Sequence, residues 1–246
     1  MRCMVVSDIH GNLEAFEAVL SHAGPVDFIW CLGDLVGYGP DPNACVEILR
    51  SKPHFCVAGN HDWAALGRLD LAEFNSDARV AALWTQEQLT PENRSFLEEL
   101  PKELSVPDLD RFLLVHGSPC HPIWEYILDE RSAAAAFRCS DVDFCFHGHT
   151  HSPILIRLAA QKGRDRIVWS HPSEAPFTLG PERMLINPGS VGQPRDGNDQ
   201  AGYLLVDSES LVIEHRRASY PHRRTQEKML KHGLPARLAA RLAYGL

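Results

Sequence analysis

The amino-acid sequence predicts a mixed α/β fold in which two mixed β-sheets carry their helices on the outside. Three observations lead there. Strand-length apolar runs alternate with helical stretches between Arg2 and Ala58, the pattern of parallel strands joined by crossover helices. From Arg111 onward such runs follow one another directly, as antiparallel neighbours do. The chain has 246 residues, 44% hydrophobic and 23% charged, which is enough to bury a substantial core and ordinary for a globular protein. No repeat, low-complexity tract or Pro/Gly-rich linker interrupts it, so a single domain is expected over 1–246.

Arg2 to Ser7 reads as the first strand. Asn12 stands where it can cap a helix whose Leu13, Phe16, Val19 and Leu20 recur at helical spacing. Asp27 to Leu32 forms a second strand that runs into the loop GDLVGYGPDP, after which Asp41 as cap and Pro42 as first helical residue open a helix through Arg50. A third apolar run, Phe55 to Ala58, ends at GNHD, and Asn75 to Glu99 reads as an insert of two helices restarted at Thr90-Pro91. The later strands are Phe112 to Val115, Val142 to Phe146, Ile154 to Leu158, Arg166 to Trp169, Met184 to Ile186, Gly202 to Val206 and Leu211 to His215. At the end, Met229, Leu230, Leu234, Leu238 and Leu242 are spaced as in one or two amphipathic helices packed back on the body.

Acidic residues outnumber basic ones, 32 to 24, and the formal charge of −8 disfavours a surface built to neutralise long nucleic acid. The imbalance is uneven. From Leu211 on, eight Lys/Arg stand against Glu214 and Glu227, so this end carries +6 and the remainder −14; a solvated basic face is expected there. Seven cysteines, an odd number with no C-x-x-C pair, predict reduced thiols and neither a disulfide framework nor a thiolate zinc site. The opening MRCMVVSD is too short a run for a signal peptide, and nothing approaches the ~18 apolar residues of a membrane span, so a cytoplasmic location without a membrane partner is expected.

Chemistry-bearing residues fall at the ends of five apolar runs: Asp8 and His10, Asp34, Asn60 and His61, His116, and His149 with His151. Ligand sites in open α/β sheets gather at the carboxyl ends of strands, so these side chains are expected to converge. Asp8 and His10 lie two apart, as do His149 and His151; if the strand continues, each pair projects to one side. Asn60 and His61 are adjacent and diverge, which lets the Asn60 amide oxygen bind a metal while His61 faces a substrate. Gly11, Gly33, Gly37, Gly39, Gly59, Gly117 and Gly148 sit at or just past the same strand ends, where a backbone without a side chain can take positive φ and allow close approach. Burying two aspartates and several histidines at one point without a cation would impose several kcal/mol of desolvation and repulsion. Imidazole, carboxylate and amide donors without thiolate suit Mn, Fe, Co, Ni or Zn better than Mg or Ca.

The ordered motifs SDIHGN (7–12), GDLVGYGPDP (33–42), GNHD (59–62), HGSP (116–119), GHTH (148–151) and NPGSVGQPRDG (187–197) resemble the calcineurin-like metallophosphoesterase family. The resemblance covers essentially the whole chain, and the last motif is similar to the small bacterial single-domain branch. It implies a four-layer αββα sandwich with a dinuclear metal centre at the strand C-terminal edge. Carried over residue by residue, Asp8, His10, Asp34 and His151 would hold one divalent transition-metal ion, and Asp34, Asn60, His116 and His149 the other, with Asp34 bridging. Asp62 would anchor the GNHD loop behind them.

Two such ions ~3.5–4 Å apart can acidify a bridging water and clamp an in-line displacement, so a bridging hydroxide is the expected nucleophile. His61 would assist the leaving group, an effect of ~10²–10⁴ in rate. Arg195, in GQPRDG, is a candidate phosphate clamp, and Tyr38, between Gly37 and Gly39, a candidate pocket wall. The expected activity is hydrolysis of small phosphodiesters or phosphomonoesters, nucleotides among them. Alternatives are a dinucleoside-polyphosphate hydrolase, a phosphoprotein phosphatase of the same family, or a catalytically silent interaction scaffold.

Overall fold

The computed structural model describes residues 1–161, 164–173 and 175–246. In chain order the elements are β1 (Arg2–Val6), α1 (Leu13–Ala23), β2 (Phe28–Cys31), α2 (Pro42–Arg50), β3 (His54–Cys56), α3 (Asn60–Ala65), α4 (Ser76–Gln88), α5 (Pro91–Glu99), β4 (Glu103–Ser105) and β5 (Phe112–Val115). There follow α6 (Glu130–Cys139), β6 (Phe144–Phe146), β7 (Ile154–Gln161), β8 (Arg164–Ser170), β9 (Phe177–Thr178), β10 (Arg183–Asn187), β11 (Ala201–Asp207), β12 (Val212–Ala218), α7 (His222–Lys231) and α8 (Ala236–Arg241). They form two six-stranded mixed sheets, ordered β3-β2-β1-β11-β12-β9 and β4-β5-β6-β10-β7-β8. Within the first, β1, β2 and β3 are parallel, and β11 returns antiparallel to β1. Within the second, β5, β6 and β10 are parallel.

The period-2 alternation of each strand divides its residues between two cores. Cys3 and Val5, Trp30 and Leu32, Phe112 and Leu114, Phe144 and Phe146, and Leu204 and Val206 pack into one cluster between the sheets. Their alternating neighbours point outward. Met4, Val6, Ile29, Cys31, Tyr203 and Leu205 meet Phe16 and Val19 of α1 and Val46 and Leu49 of α2, while Leu113, Val115, Cys145 and Leu185 meet Ala133, Ala136 and Phe137 of α6. The result is helix, sheet, sheet, helix: the four layers expected. Asn12 caps α1 as its position predicts, accepting the Ala15 N–H at 3.2 Å. Asp41 occupies the N-cap position of α2, but its carboxylate accepts a hydrogen bond from Lys228 Nζ and caps nothing.

Several elements were not legible in the sequence. Helix α6 interrupts a region read as strands, although Asp129 and Ser132 form a reciprocal cap at its start. The short edge strands β4 and β9 carry too few residues to show a period. The expectation that all cysteines are reduced is also corrected: Cys120 and Cys139 form a disulfide. Cys139 ends the unforeseen α6, so its approach to the loop after β5 could not be inferred. The other five cysteines are buried free thiols, as expected. Among the described residues no helix is long and apolar enough to cross a membrane.

Phe146 is fully buried between the sheets, with its ring against Trp30 and Phe112. Phe146→Ala is expected to cost ~3–5 kcal/mol of unfolding free energy in a urea titration; a loss under ~1 kcal/mol would show that the inter-sheet core does not depend on it.

Candidate metal centre

All seven ligand-type side chains singled out in the sequence meet at one edge of the sandwich. Asp8, Asp34 and Asn60 follow the parallel strands β1, β2 and β3, while His116 and the 149–151 loop follow β5 and β6. One group brings together Asp8, His10, Asp34 and His151, a second Asp34, His116 and His149, with the donor atoms in each within 4.8 Å of one another. Asn60 joins the second through its Oδ1, 3.0 Å from His116 Nε2. All seven are buried.

Convergence is not achieved by continued strands, as the two-residue spacings implied. Asp8, His10, Asp34, His149 and His151 all take positive φ, between 51° and 66°. Non-glycine residues rarely occupy this left-handed region, and runs of them mark functional loops whose strain the surrounding structure sustains. The chain coils at each strand end and turns alternate residues to one point.

The hydrogen bonds behind the cluster decide where its lone pairs face. His10 Nδ1 contacts the Val36 carbonyl at 3.3 Å, His116 Nδ1 that of Leu32 at 2.9 Å, His151 Nδ1 that of Gln193 at 2.6 Å, and His149 Nε2 that of Trp124 at 3.1 Å. A carbonyl only accepts, so each of these nitrogens carries the proton and the opposite nitrogen is a bare lone pair. Those lone pairs face one another: His10 Nε2 lies 3.1 Å from His151 Nε2, and His116 Nε2 3.1 Å from His149 Nδ1. Acceptor against acceptor is repulsive unless a cation lies between them. The carboxylates add to this. Asp8 Oδ1 and Asp34 Oδ2 are buried without a hydrogen-bond partner, and Asp34 Oδ2 lies 3.6 Å from His10 Nε2 and 3.4 Å from His116 Nε2.

Protein atoms alone leave this cluster electrostatically unsatisfied. Burial, with Asp34 nearby, pushes the Asp8 carboxyl up to about 7, and burial with the Asp62 charge holds Asp34 well above the usual carboxylate range. Burial likewise drives His10, His61, His149 and His151 well below the usual imidazole value. Every shift disfavours the charged form, and divalent cations would reverse the carboxylate shifts. The donor set therefore fits transition-metal ions.

Asp62 anchors the loops as expected, accepting the Val36 N–H at 3.1 Å and the Gly59 N–H at 2.9 Å. Residues of the NPGSVGQ motif hold the backbone of Asp8: Ser190 Oγ and Gly192 N–H donate to its carbonyl at 2.8 and 2.9 Å. Asn187 Nδ2 donates to the Gly148 carbonyl at 2.7 Å and steadies the histidine loop. Gly11, Gly33 and Gly37 take positive φ, whereas Gly59 is required for space: a Cβ there would overlap the Asp34 carboxylate and backbone.

Residues 1–211 match the calcineurin-like phosphoesterase superfamily domain. The chain belongs to that family. It is 45% identical to a metallophosphoesterase from Sphaerobacter thermophilus of known crystal structure, covering 100% of this chain and 99% of that one with a TM-score of 0.87. An uncharacterized protein of Methanocaldococcus jannaschii is 38% identical over 246 residues, 98% of this chain and 97% of its own. The phosphodiesterase YfcE of Escherichia coli K12 is 25% identical over 223 residues, 87% of this chain and 91% of its own.

Around the phosphoesterase cluster, the structure places the other expected residues close by. His61, 5% exposed, has its ring centroid 4.9 Å from that of His10 and 4.3 Å from that of Tyr38. The Arg195 guanidinium lies 6.0 Å from the Tyr38 ring centre and donates to Gln193 Oε1 at 3.0 Å. Tyr38 and Arg195 also line a cavity of about 620 Å³. Sequence reasoning missed Tyr126, which stacks on His149 at 3.7 Å and lines the same cavity. At the C-terminal end Arg223, Arg224, Lys231 and Arg237 are exposed, in keeping with a solvated basic face, and Arg237 and Arg241 line that cavity too. Their role depends on how α8 packs, which no local spacing encodes.

Gly59→Ala forces the added methyl into the Asp34 carboxylate. It is expected to lower stability by ~1–3 kcal/mol and to weaken manganese binding measured by calorimetry, and unaltered values for both would remove the close approach from the account.

Proposed function

We propose that the protein is a binuclear metal-dependent phosphoesterase, one domain spanning 1–246, that hydrolyses small phosphodiesters or phosphomonoesters, nucleotides among them. Asp8, His10, Asp34 and His151 hold one ion in this reading, and Asp34, Asn60, His116 and His149 the other. The observation that carries it is Asp34 Oδ2, unpaired and buried between the inward lone pairs of His10 and His116. Manganese, iron, cobalt, nickel and zinc all suit these donors. When bound, two such ions supply phosphoryl polarisation and a water acidified toward neutrality.

The chain's own groups do the rest. His61 stands beside the cluster without belonging to it and stabilises or protonates the leaving oxygen. Its backbone N–H donates to Asp34 Oδ1 at 2.7 Å, which fixes His61 and orients the shared carboxylate at the same time. Arg195 offers a forked guanidinium to the phosphoryl oxygens, with Tyr38 as the wall beside it. Phosphodiester hydrolysis is the activity named for the E. coli relative and is the reading preferred here. A silent scaffold would have no use for seven intact ligand-type residues with inward lone pairs.

With manganese the protein is expected to hydrolyse bis-p-nitrophenyl phosphate and to lose this activity on chelation; turnover without metal would defeat the mechanism. His61→Ala should lower kcat by ~10²–10⁴ while leaving the metal content of the purified protein unchanged, and loss of both ions would make His61 a structural ligand instead.

Metal affinity should depend on pH. The Asp8 carboxyl is pushed up to about 7 by burial, so protons compete with the cation below that pH and not above it. Manganese is expected to bind roughly 10-fold more weakly at pH 6 than at pH 8, with proton release; a flat profile by calorimetry across that window would exclude Asp8 as the titrating ligand.

A further inference from the structure

The matched family domain ends at residue 211, and α7 and α8 lie beyond it. They are fixed to the body. Met229, Leu234, Leu238, Ala239 and Leu242 pack in one cluster with Tyr38, Phe74 and Ala78, which sets α8 against the Tyr38 loop and α4. The Gly197 N–H donates to the Gly245 carbonyl at 3.0 Å, tying the final residues to the loop that carries Arg195. As a result Arg195, Arg237 and Arg241 face one cavity of about 620 Å³, together with Tyr38, Tyr126 and Tyr244. That volume lies in the range of small-ligand sites and is too small for a macromolecular strand to fill along its length.

Three basic residues of the C-terminal segment are charge-paired; Arg223, Arg224 and Lys231 are exposed without an ion pair among the described residues, and what sets Arg237 and Arg241 apart is the cavity they line. Arg216 pairs with Glu214, Arg217 with Asp196, and Lys228 with Glu14 and Asp41 at 2.6 and 2.8 Å. Among the described residues, Arg195, Arg237 and Arg241 form no ion pair with a side-chain carboxylate. Arg241 Nε donates to the Leu246 backbone oxygen, and Asp77 is the acidic side chain that lines the cavity. Burial, with Arg195 and Arg237 nearby, lowers the Arg241 pKa, so the guanidiniums sense one another's field. The Arg195 N–H donates to the His151 carbonyl at 3.2 Å, which holds this residue on the cluster side, where the scissile phosphate would sit. Arg237 and Arg241 then place two guanidiniums in the cavity against the one side-chain carboxylate of Asp77.

We propose, resting on the phosphoesterase reading for the scissile group, that the substrate carries a second phosphate, bound in this cavity by Arg237 and Arg241. Two guanidinium forks match the several oxygens of a phosphate dianion better than a single carboxylate. The substrate class is therefore a small organic ester with at least two phosphate groups, and the three tyrosines offer faces to its organic part.

Alkane diphosphonates, from methylene to 1,4-butylene, test this on manganese-loaded full-length protein. Their C–P bonds are inert to an esterase, so binding is read by calorimetry at fixed free metal whether or not the protein turns over. The best-fitting diphosphonate is expected to bind at least ~10-fold more tightly than methylphosphonate, and Arg237→Gln with Arg241→Gln should reduce that ratio below ~3. Arg237→Lys with Arg241→Lys should keep part of it. No preference in the wild type, or a preference that survives the glutamine pair, overturns the proposal. Should the pair fail to fold, Arg237→Gln alone, at an exposed position, must lower the ratio, and an unchanged ratio overturns it equally. Absence of bis-p-nitrophenyl phosphate hydrolysis in protein that retains the diphosphonate preference would sink the esterase reading and leave the second-anion site standing.

Discussion

Four imidazole lone pairs and two unpaired carboxylate oxygens are buried face to face at one edge of the sandwich, and much of the surrounding structure holds them there. Protein atoms cannot satisfy such an arrangement. His10, His116, His149 and His151 have each committed their outer N–H to a main-chain carbonyl, so none can turn a proton inward without giving up that bond. A buried set of acceptors that repel one another is tolerated where a cation converts the repulsion into coordination. Those four bonds are what make the cluster of this chain fit the metal-dependence of its family.

The scaffold meets this demand with backbone geometry. Parallel strands from both sheets deliver their C-terminal ends to one edge, but the last step into the cluster is taken by left-handed residues at Asp8, His10, Asp34, His149 and His151. That strain is sustained by a rigid surround: the inter-sheet core around Trp30 and Phe146 fixes the strand ends, Asp62 ties the second and third loops, and the Ser190–Gly192 turn grips the backbone of Asp8. Tight packing at the strand ends explains the glycines better than flexibility does, since Gly59 leaves no room for a methyl group.

The C-terminal helices complete a cleft beside the cluster. Seen as composition, the segment is a basic tail. Folded, it pairs Arg217 and Lys228 with acidic groups of the body, leaves Arg223, Arg224 and Lys231 exposed, and sets Arg237 and Arg241 facing the cavity beside Arg195. A chain with an overall charge of −8 thus gathers three guanidiniums, with Asp77, in one cavity.

The sequence by itself determined the layered α/β class, most strand positions, the cap at Asn12 and the identity of all seven cluster residues, because apolar periodicity and residue type at strand ends are local properties. It did not disclose α6, whose alanine-rich face looks apolar at any period, nor the Cys120–Cys139 disulfide that depends on it. Nor did it disclose how the cluster forms: a two-residue spacing is equally compatible with an extended strand and with the left-handed coil that is present. The carbonyls of Leu32, Val36, Trp124 and Gln193 that orient the histidines are invisible to any reading by residue type, since every residue has one. Which histidine nitrogen faces inward, and which arginines face the cavity, were settled by contacts between segments up to 200 residues apart. Only tertiary packing could decide them.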